Sequence, residues 1–379
     1  MRRRTFLSLV VAAALLFTPA SAADRRIVAV ADAHGAGAAF ISVLQRAGLI
    51  NARRHWSGGH AVLVQTGDIM DRGPDVRMLL DFLVTLEREA SAAGGRVERL
   101  LGNHEFMAMT GHTRDATPEI YASWADGQSD ARQERAFTDA QQLAGGTLDK
   151  AAWMAAHPRG YVEYREAFAP DGMYGKYLRT KPVAVKIDST IFMHAGIAPE
   201  LGLSLDEVNA RAKADLQAWD TGVRWVLERK LILPFSTLQE IVAAADTVAK
   251  EIVARKDAGK LQSDDAKTAQ VLQPVLTITQ SSLFAGNGPM WFRGYARWTD
   301  EQGAPLMAAL LKQYDVKRFV VGHTPVEDAT IRERFNGGVY LIDTGMLGPP
   351  NFPGGRPSAL EIVGDKVTPM YVEGGTTSR

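Results

Sequence analysis

Three short apolar runs near the start of the chain each end in a cluster of polar side chains. "RIVAVADAHG", residues 26–35, is apolar and β-branched up to Asp32 and His34. "HAVLVQTGD", residues 60–68, ends in Asp68, and "RVERLLGNHE", residues 96–105, ends in Asn103, His104 and Glu105. Between the first two runs, "AAFISVLQRAGL" spaces its apolar residues as a helix does and stops at Gly48. Between the second and third, Met78, Leu79, Phe82, Leu83 and Leu86 mark one helix face, which Gly94 and Gly95 end. Asp75, behind Pro74, is placed to cap that helix. Strand, helix, strand, helix, strand with short links predicts an α/β fold with a parallel sheet and right-handed crossovers. The polar clusters then converge at the carboxyl ends of neighbouring strands, where open α/β sheets bind ligands.

The same pattern returns later in the chain. "VAVKIDSTIFMHAG" reads as two strands around an Asp188-Ser189 turn, the second delivering His194. "VKRFVVGHT" delivers His323, "GVYLIDTG" delivers Asp343, and "SALEIVGDKVTPMYVEG" reads as a hairpin turning at Gly364-Asp365. Two regions interrupt this core. Residues 106–180 are polar, rich in Tyr and Trp, and partly helical in pattern. Residues 204–288, with "STLQEIVAAADTVAKEIVARK", read as mostly helical, and both regions are expected to be insertions that wall the site. The expected organisation is therefore a catalytic domain from 23–203 and 289–379, divided by the 204–288 insertion.

Composition adds three constraints. The chain has 379 residues, and its first 22 read as a secretory leader: Arg2, Arg3 and Arg4, an apolar stretch from Phe6 to Phe17, then "TPASA" with cleavage after Ala22. Twelve apolar residues are too few to span a bilayer, so the expectation is a periplasmic protein without stable membrane insertion. Removing the leader subtracts three Arg from the 43 basic side chains and none of the 43 acids, leaving a net charge of −3. That balance offers no basic face for nucleic acid. Cysteine is absent, which excludes thiolate nucleophiles and thiolate ligands, so any metal must be held by oxygen and imidazole nitrogen.

Asp32, His34, Asp68, Asn103, His104, His194 and His323 all stand just after apolar strands that can lie side by side. The set supplies carboxylate, imidazole and amide oxygen, which suit manganese, iron or zinc rather than calcium. There are too many ligands for one ion, and Asp68 is central enough to bridge a pair. "GDIMDRGPD", residues 67–75, crowds Asp68, Asp71 and Asp75 around Arg72, a repulsive cluster that makes sense if its charges are spoken for.

The blocks "DAHG", "GDIMDRG", "GNHE", "MHAG" and "VGHT", in this order, resemble the five signature blocks of the phosphoprotein phosphatases within the calcineurin-like metallophosphoesterases. "DIMDRGPDVRMLLDFL", "LLGNHEFMAM" and "MWFRGYARW" are most similar to the bacterial, Shewanella-like branch. The resemblance covers most of the mature chain. It implies a β-sandwich flanked by helices and two divalent ions, manganese foremost, with iron or zinc as alternatives. Asp32 and His34 would bind the first ion, Asp68 would bridge, and Asn103, His194 and His323 would complete the second. His104 would be a general acid oriented by Asp71, and Arg72 would hold the phosphate. The family's second phosphate-binding arginine does not align by motif; Arg293 in "MWFRGY" is the candidate.

The implied reaction is in-line attack on a phosphomonoester by a hydroxide bridging the ions. The expected substrate is a phosphorylated protein or peptide, on serine, threonine or tyrosine. The alternative is a nucleotide or dinucleoside polyphosphate hydrolase. A non-catalytic metal-binding protein is disfavoured by the intact ligand set. Glu105 is expected to support the His104 loop, Asp343 reads equally as a residue backing the ligands or as a strand-end turn acid, and His112 is a weaker candidate for substrate contact. His55, His60 and His157 are expected at the surface. The Gly/Pro-rich loop 345–358 should border the site, with Arg356 reaching substrate.

Overall fold

The computed structural model describes residues 25–372, so the leader expected at 1–22 lies outside the described residues. The strands are β1 (Arg26–Val30), β2 (Val62–Gln65), β3 (Arg96–Arg99), β4 (Ala184–Ile187), β5 (Thr190–Met193), β6 (Arg318–Val321), β7 (Arg332–Arg334), β8 (Val339–Leu341), β9 (Ser358–Val363) and β10 (Lys366–Tyr371). They form two five-stranded sheets, ordered β10-β9-β1-β2-β3 and β4-β5-β6-β8-β7. In the first, β1, β2 and β3 are parallel, with Val28 opposite Leu63 and Leu63 opposite Val97. The hairpin β9-β10 then adds antiparallel to β1. In the second, β5, β6 and β8 are parallel, flanked by antiparallel β4 and β7.

Why the inner strands of both sheets read as nearly continuous apolar runs follows from their position. One face of each packs on the other sheet: Ile27, Ala29, Val62, Val64, Leu360 and Ile362 meet Ile187, Phe192, Val320 and Ile342 in one buried cluster. The alternate residues, Val28, Val30 and Leu63 on one side and Ile191, Met193, Phe319 and Val321 on the other, are also buried, in the cluster that holds the helices. Strands buried on both faces lose the polar half of their alternation. The helices Gly37–Arg46 and Val76–Ala92 bury Phe40, Val43, Leu44, Leu79, Leu83 and Leu86. Each is followed by a left-handed glycine, Gly48 at φ 65° and Gly94 at φ 80°, where a side chain would strain the turn. The result is the expected sandwich flanked by helices.

Asp75 does stand at the start of Val76–Ala92, yet its side chain makes no capping hydrogen bond. It is turned instead against the start of the preceding helix, where a Cβ on Gly37 would lie 2.7 Å from its Oδ2. The expected cap is thus corrected to a packing contact between two helix starts.

Residues 106–180 are largely helical and pack their aromatic side chains edge to face: Tyr121 lies 5.2 Å from Tyr164, and Trp124 lies 5.1 Å from Tyr164 and 6.0 Å from Tyr174. His157, expected at the surface, is drawn into this packing, stacked 4.1 Å from Trp153. His55 and His60 are exposed as expected. The segment 204–288 contains the helices Leu205–Glu228, Leu238–Asp257 and Asp265–Leu276. Two of them start on capping boxes, Ser204 with Glu207 and Thr237 with Glu240, the Ser/Thr-x-x-Glu spacing that satisfies the first backbone N–H groups. Among the described residues, no helix is long and apolar enough to cross a membrane.

Candidate metal centre

The strands β1, β2 and β3 are neighbours in one sheet, and β5, β6 and β8 in the other. Their carboxyl ends therefore deliver Asp32 and His34, Asp68, Asn103, His194, His323 and Asp343 to one edge of the sandwich. All seven side chains are buried. The backbone there is strained: His34 (φ 44°), Asp68 (57°), Asp71 (68°), Arg72 (67°) and His323 (66°) are all left-handed. Each costs on the order of 1–2 kcal/mol for a residue with a Cβ, so the surroundings must hold them. Asp68 O accepts from Ala33 N and His34 N at 3.0 Å, and Gly73 N donates to His34 O at 2.9 Å. The Glu105 carboxylate accepts from Asp68 N (2.8 Å), Ile69 N (2.9 Å) and Gly102 N (2.9 Å). Two glycines make room for carboxylates: a Cβ on Gly102 would lie 2.2 Å from Asp68 Oδ1, and one on Gly322 would lie 2.2 Å from Asp32 Oδ1.

The ligand-type atoms converge in two groups, His34–Asp68–His104 and Asp68–His194–His323, with Asp68 in both. Asp68 Oδ2 is 3.7 Å from His34 Nε2 and 3.2 Å from His194 Nε2. His34 Nε2 is 4.0 Å from Asp32 Oδ2. His194 Nε2 also lies 2.9 Å from Asn103 Oδ1 and 3.1 Å from His323 Nδ1. His34 Nδ1 is 2.8 Å from Met70 O, and His194 Nδ1 is 3.1 Å from Thr66 O. A carbonyl only accepts, so those nitrogens carry the hydrogen and Nε2 of each ring faces the cluster. Such backbone partners are what orients ligating imidazoles.

The electrostatics of the cluster favour a bound cation. Burial, with His104 and Arg72 beside it, holds His34 well below its ordinary pKa. Burial, with His194 and Arg293 beside it, does the same for His323. Both rings are therefore neutral and bear lone pairs. Burial, reinforced by Asp343 and Asp68, pushes Asp32 well up. Asp343 is raised to about 6, chiefly by burial. Burial favours the neutral form of His194, yet Asp68 and Asp32 outweigh it and lift the ring to about 9. So many acceptors meet at His194 Nε2 that only a cation, proton or metal ion, satisfies them. His323 Nε2 has no hydrogen-bond partner among the described residues. A surplus of buried lone pairs from oxygen and imidazole suits divalent ions of the manganese, iron and zinc type.

The remaining expected residues surround this cluster. His104 Nδ1 is 2.7 Å from Asp71 Oδ2, and its Nε2 is 3.8 Å from Asp68 Oδ2. Burial opposes protonation of His104, but Asp68 and Asp71 outweigh it and raise the ring above its ordinary value. Arg72 contacts His34 Nε2 and lies 3.3 Å from His104 Nε2. Arg293, on the other side, donates to His323 O (2.9 Å) and Thr324 Oγ1 (3.0 Å). His112 lies 6.3 Å from Phe284, and Trp291 is 5.8 Å from His323. Arg356 is turned away, bonded to Ala329 O at 2.9 Å and stacked 3.7 Å over Tyr371. The residue that loop 345–358 sends to the site is Phe352, 5.9 Å from the His34 ring and 5.3 Å from the Arg72 guanidinium carbon. Asp115 was also invisible in sequence: its Oδ2 lies 4.0 Å from His104 Nδ1, and its carbonyl accepts from Arg72 N at 3.0 Å. No motif surrounds Asp115, whereas Phe352 and Trp291 stand in stretches the sequence does flag.

Fold and site together define a metal-dependent phosphoesterase. Residues 25–219 match the calcineurin-like phosphoesterase family, and the chain belongs to it. It is a hydrolase, and its phosphatase kin span most of its length. Shewanella-like protein phosphatase 2 of Arabidopsis thaliana is 27% identical, over 92% of this chain and 79% of that one. An uncharacterized protein of Schizosaccharomyces pombe is 27% identical over 84% and 73%. The crystal structure of a cold-active protein-tyrosine phosphatase of a psychrophilic Shewanella superposes with a TM-score of 0.57 at 23% identity, covering 92% of this chain and 81% of that one. His323 lies beyond the family match, so β6 completes the candidate ligand set from outside it.

Proposed function

We propose that the protein is an exported phosphomonoesterase acting on phosphorylated proteins or peptides. The observation that supports this reading is that one buried carboxylate, Asp68, belongs to both ligand groups, with an Asp71-braced His104 and Arg72 beside it. Asp32, His34 and Asp68 would hold one ion, and Asp68, Asn103, His194 and His323 the other. Bound there, two divalent ions, manganese foremost, supply positive charge to the phosphoryl oxygens and an activated water for in-line attack. The chain does the rest. Arg72 and Arg293 approach from opposite sides, and a guanidinium matches two phosphate oxygens at once. His104, kept in one orientation by Asp71, gives its Nε2 proton to the departing oxygen. Phe352 and Trp291 offer apolar surface to the side chain that bears the phosphate. The match to a relative named as a protein phosphatase supports the substrate class.

With Mn²⁺, the mature protein is expected to show a higher kcat/KM on phosphoserine, phosphothreonine or phosphotyrosine peptides than on dinucleoside polyphosphates. The reverse order would replace this reading with an anhydride hydrolase. Export rests on the Arg-led apolar start and the small residues before Ala23. N-terminal sequencing of the exported protein should begin at Ala23, and recovery of Arg2 or Arg3 on most molecules would remove that part.

A further inference from the structure

Arg99, the last residue of β3, is 1% exposed, and none of its guanidinium nitrogens has a hydrogen-bond partner among the described residues. A buried cation without hydrogen bonds is costly, so something else must keep it there. Among the described residues its ion-pair partner is Glu105, which is also fully buried, with Arg99 Nη2 3.8 Å from Glu105 Oε1. That distance is too long for a hydrogen bond, so the link is Coulombic. The Tyr177 ring covers the guanidinium at 5.3 Å.

What Glu105 does explains what its charge is for. Its Oε2 accepts from Asp68 N and Gly102 N, and its Oε1 from Ile69 N. The return bond runs from His104 N to Asp68 Oδ1 at 2.9 Å. The loop after β2, carrying Asp68 in its left-handed conformation, and the loop after β3, carrying Asn103 and His104, are thus clasped in both directions. Three N–H donors on one carboxylate need its full negative charge, and that charge sits where water does not reach.

We infer that Arg99 is a positioning residue for the metal centre: its buried charge balances Glu105, and the Glu105 clasp fixes Asp68 relative to Asn103. Partners one step removed from a metal ligand commonly govern about 10–100-fold in metal affinity. Because the Arg99–Glu105 link is charge without hydrogen bonding, an ammonium at the same place serves nearly as well, whereas an apolar side chain of similar length does not. That order separates the proposal from packing, for which Met would do as well as Lys or better.

The test is Mn²⁺ titration of the metal-stripped wild type, Arg99→Lys, Arg99→Met and the double variant R99M/E105Q by calorimetry, with a thermal melt of each. Arg99→Met is expected to bind its weaker Mn²⁺ about 10–100-fold less tightly than wild type, with KM for an aryl phosphate unchanged at saturating Mn²⁺. Arg99→Lys should stay within a few-fold of wild type. R99M/E105Q, with both charges gone, should melt above Arg99→Met and still bind Mn²⁺ weakly, because the clasp is lost. Should Arg99→Met fail to fold, the double variant carries the comparison. Wild-type Mn²⁺ affinity in Arg99→Met or in R99M/E105Q, or a Lys variant no better than Met, overturns the proposal. Wild-type stoichiometry reads the metal site itself, and the ratio of variant to wild type reads Arg99.

Discussion

Asp68→Asn is expected to lose both metal and activity, the largest effect of any single substitution at this site. Asp68 Oδ2 lies within 3.8 Å of three imidazole nitrogens, those of His34, His104 and His194. Burial alone would raise this carboxyl, but His194, His104 and His34 hold it well below the usual carboxylate range. It is thus a permanent negative charge shared by both ligand groups. An amide of the same shape keeps the backbone clasp to Glu105 and removes the charge, so the loss reports on ligation rather than on folding. Since residues that merely orient ligands govern about 10–100-fold in affinity, loss of a shared ligand should exceed that. Elemental analysis after dialysis should find less than one ion per chain and activity near background. The matched control is Asp75→Asn. Asp75 lies in the same "GDIMDRGPD" stretch but makes no capping hydrogen bond, so its replacement should cost under about 1 kcal/mol and leave the metal content unchanged. Two tightly held ions in Asp68→Asn would end the bridging role.

His104→Asn is expected to divide substrates by their leaving groups. A general acid matters in proportion to the basicity of the departing oxygen. Phosphotyrosine or an aryl phosphate leaves as a phenolate of pKa about 10 or lower, while phosphoserine leaves as a far more basic alkoxide. Acid catalysis typically contributes roughly 10²–10⁴-fold, so the loss on a phosphoserine peptide should approach that range and be clearly smaller on an activated aryl phosphate. The geometry makes the test necessary, because His104 falls in a ligand group with His34 and Asp68. As an acid, His104 can be removed with metal content near wild type, since Asp32, His34, Asp68, Asn103, His194 and His323 remain. As a ligand, its removal sheds an ion and slows both substrates equally. Asp71→Asn should show the leaving-group pattern more weakly, because Asp71 only orients the ring through its 2.7 Å contact.

Much of the site was legible in the sequence because the information is local. Each candidate ligand follows an apolar run within a few residues, and a parallel βαβ arrangement brings the ends of such runs together wherever it occurs. The glycines in "GNHE" and "VGHT" have a local reason too, since Gly102 and Gly322 stand where a Cβ would meet Asp68 and Asp32. β7 was not legible: Arg-Glu-Arg is polar and three residues long, and only its pairing with β8 makes it a strand.

Other features exist only through distant contacts. Asp75 reads as a helix cap, but the start of the helix Gly37–Arg46 takes up its side chain. Arg356 reads as a candidate for substrate, yet Tyr371, fifteen residues on, draws it away while Phe352 takes the place beside Arg72. Arg99 is polar at the end of a short strand, and is buried where Glu105 and Tyr177 lie against it. The chain by itself determined which residue types follow which strands, because hydrophobic period and turn chemistry act over a few residues. The tertiary structure alone decided which charges face one another, because Coulombic and hydrogen-bond partners are set by distance in space, and these partners lie anywhere from a few to hundreds of positions apart in sequence.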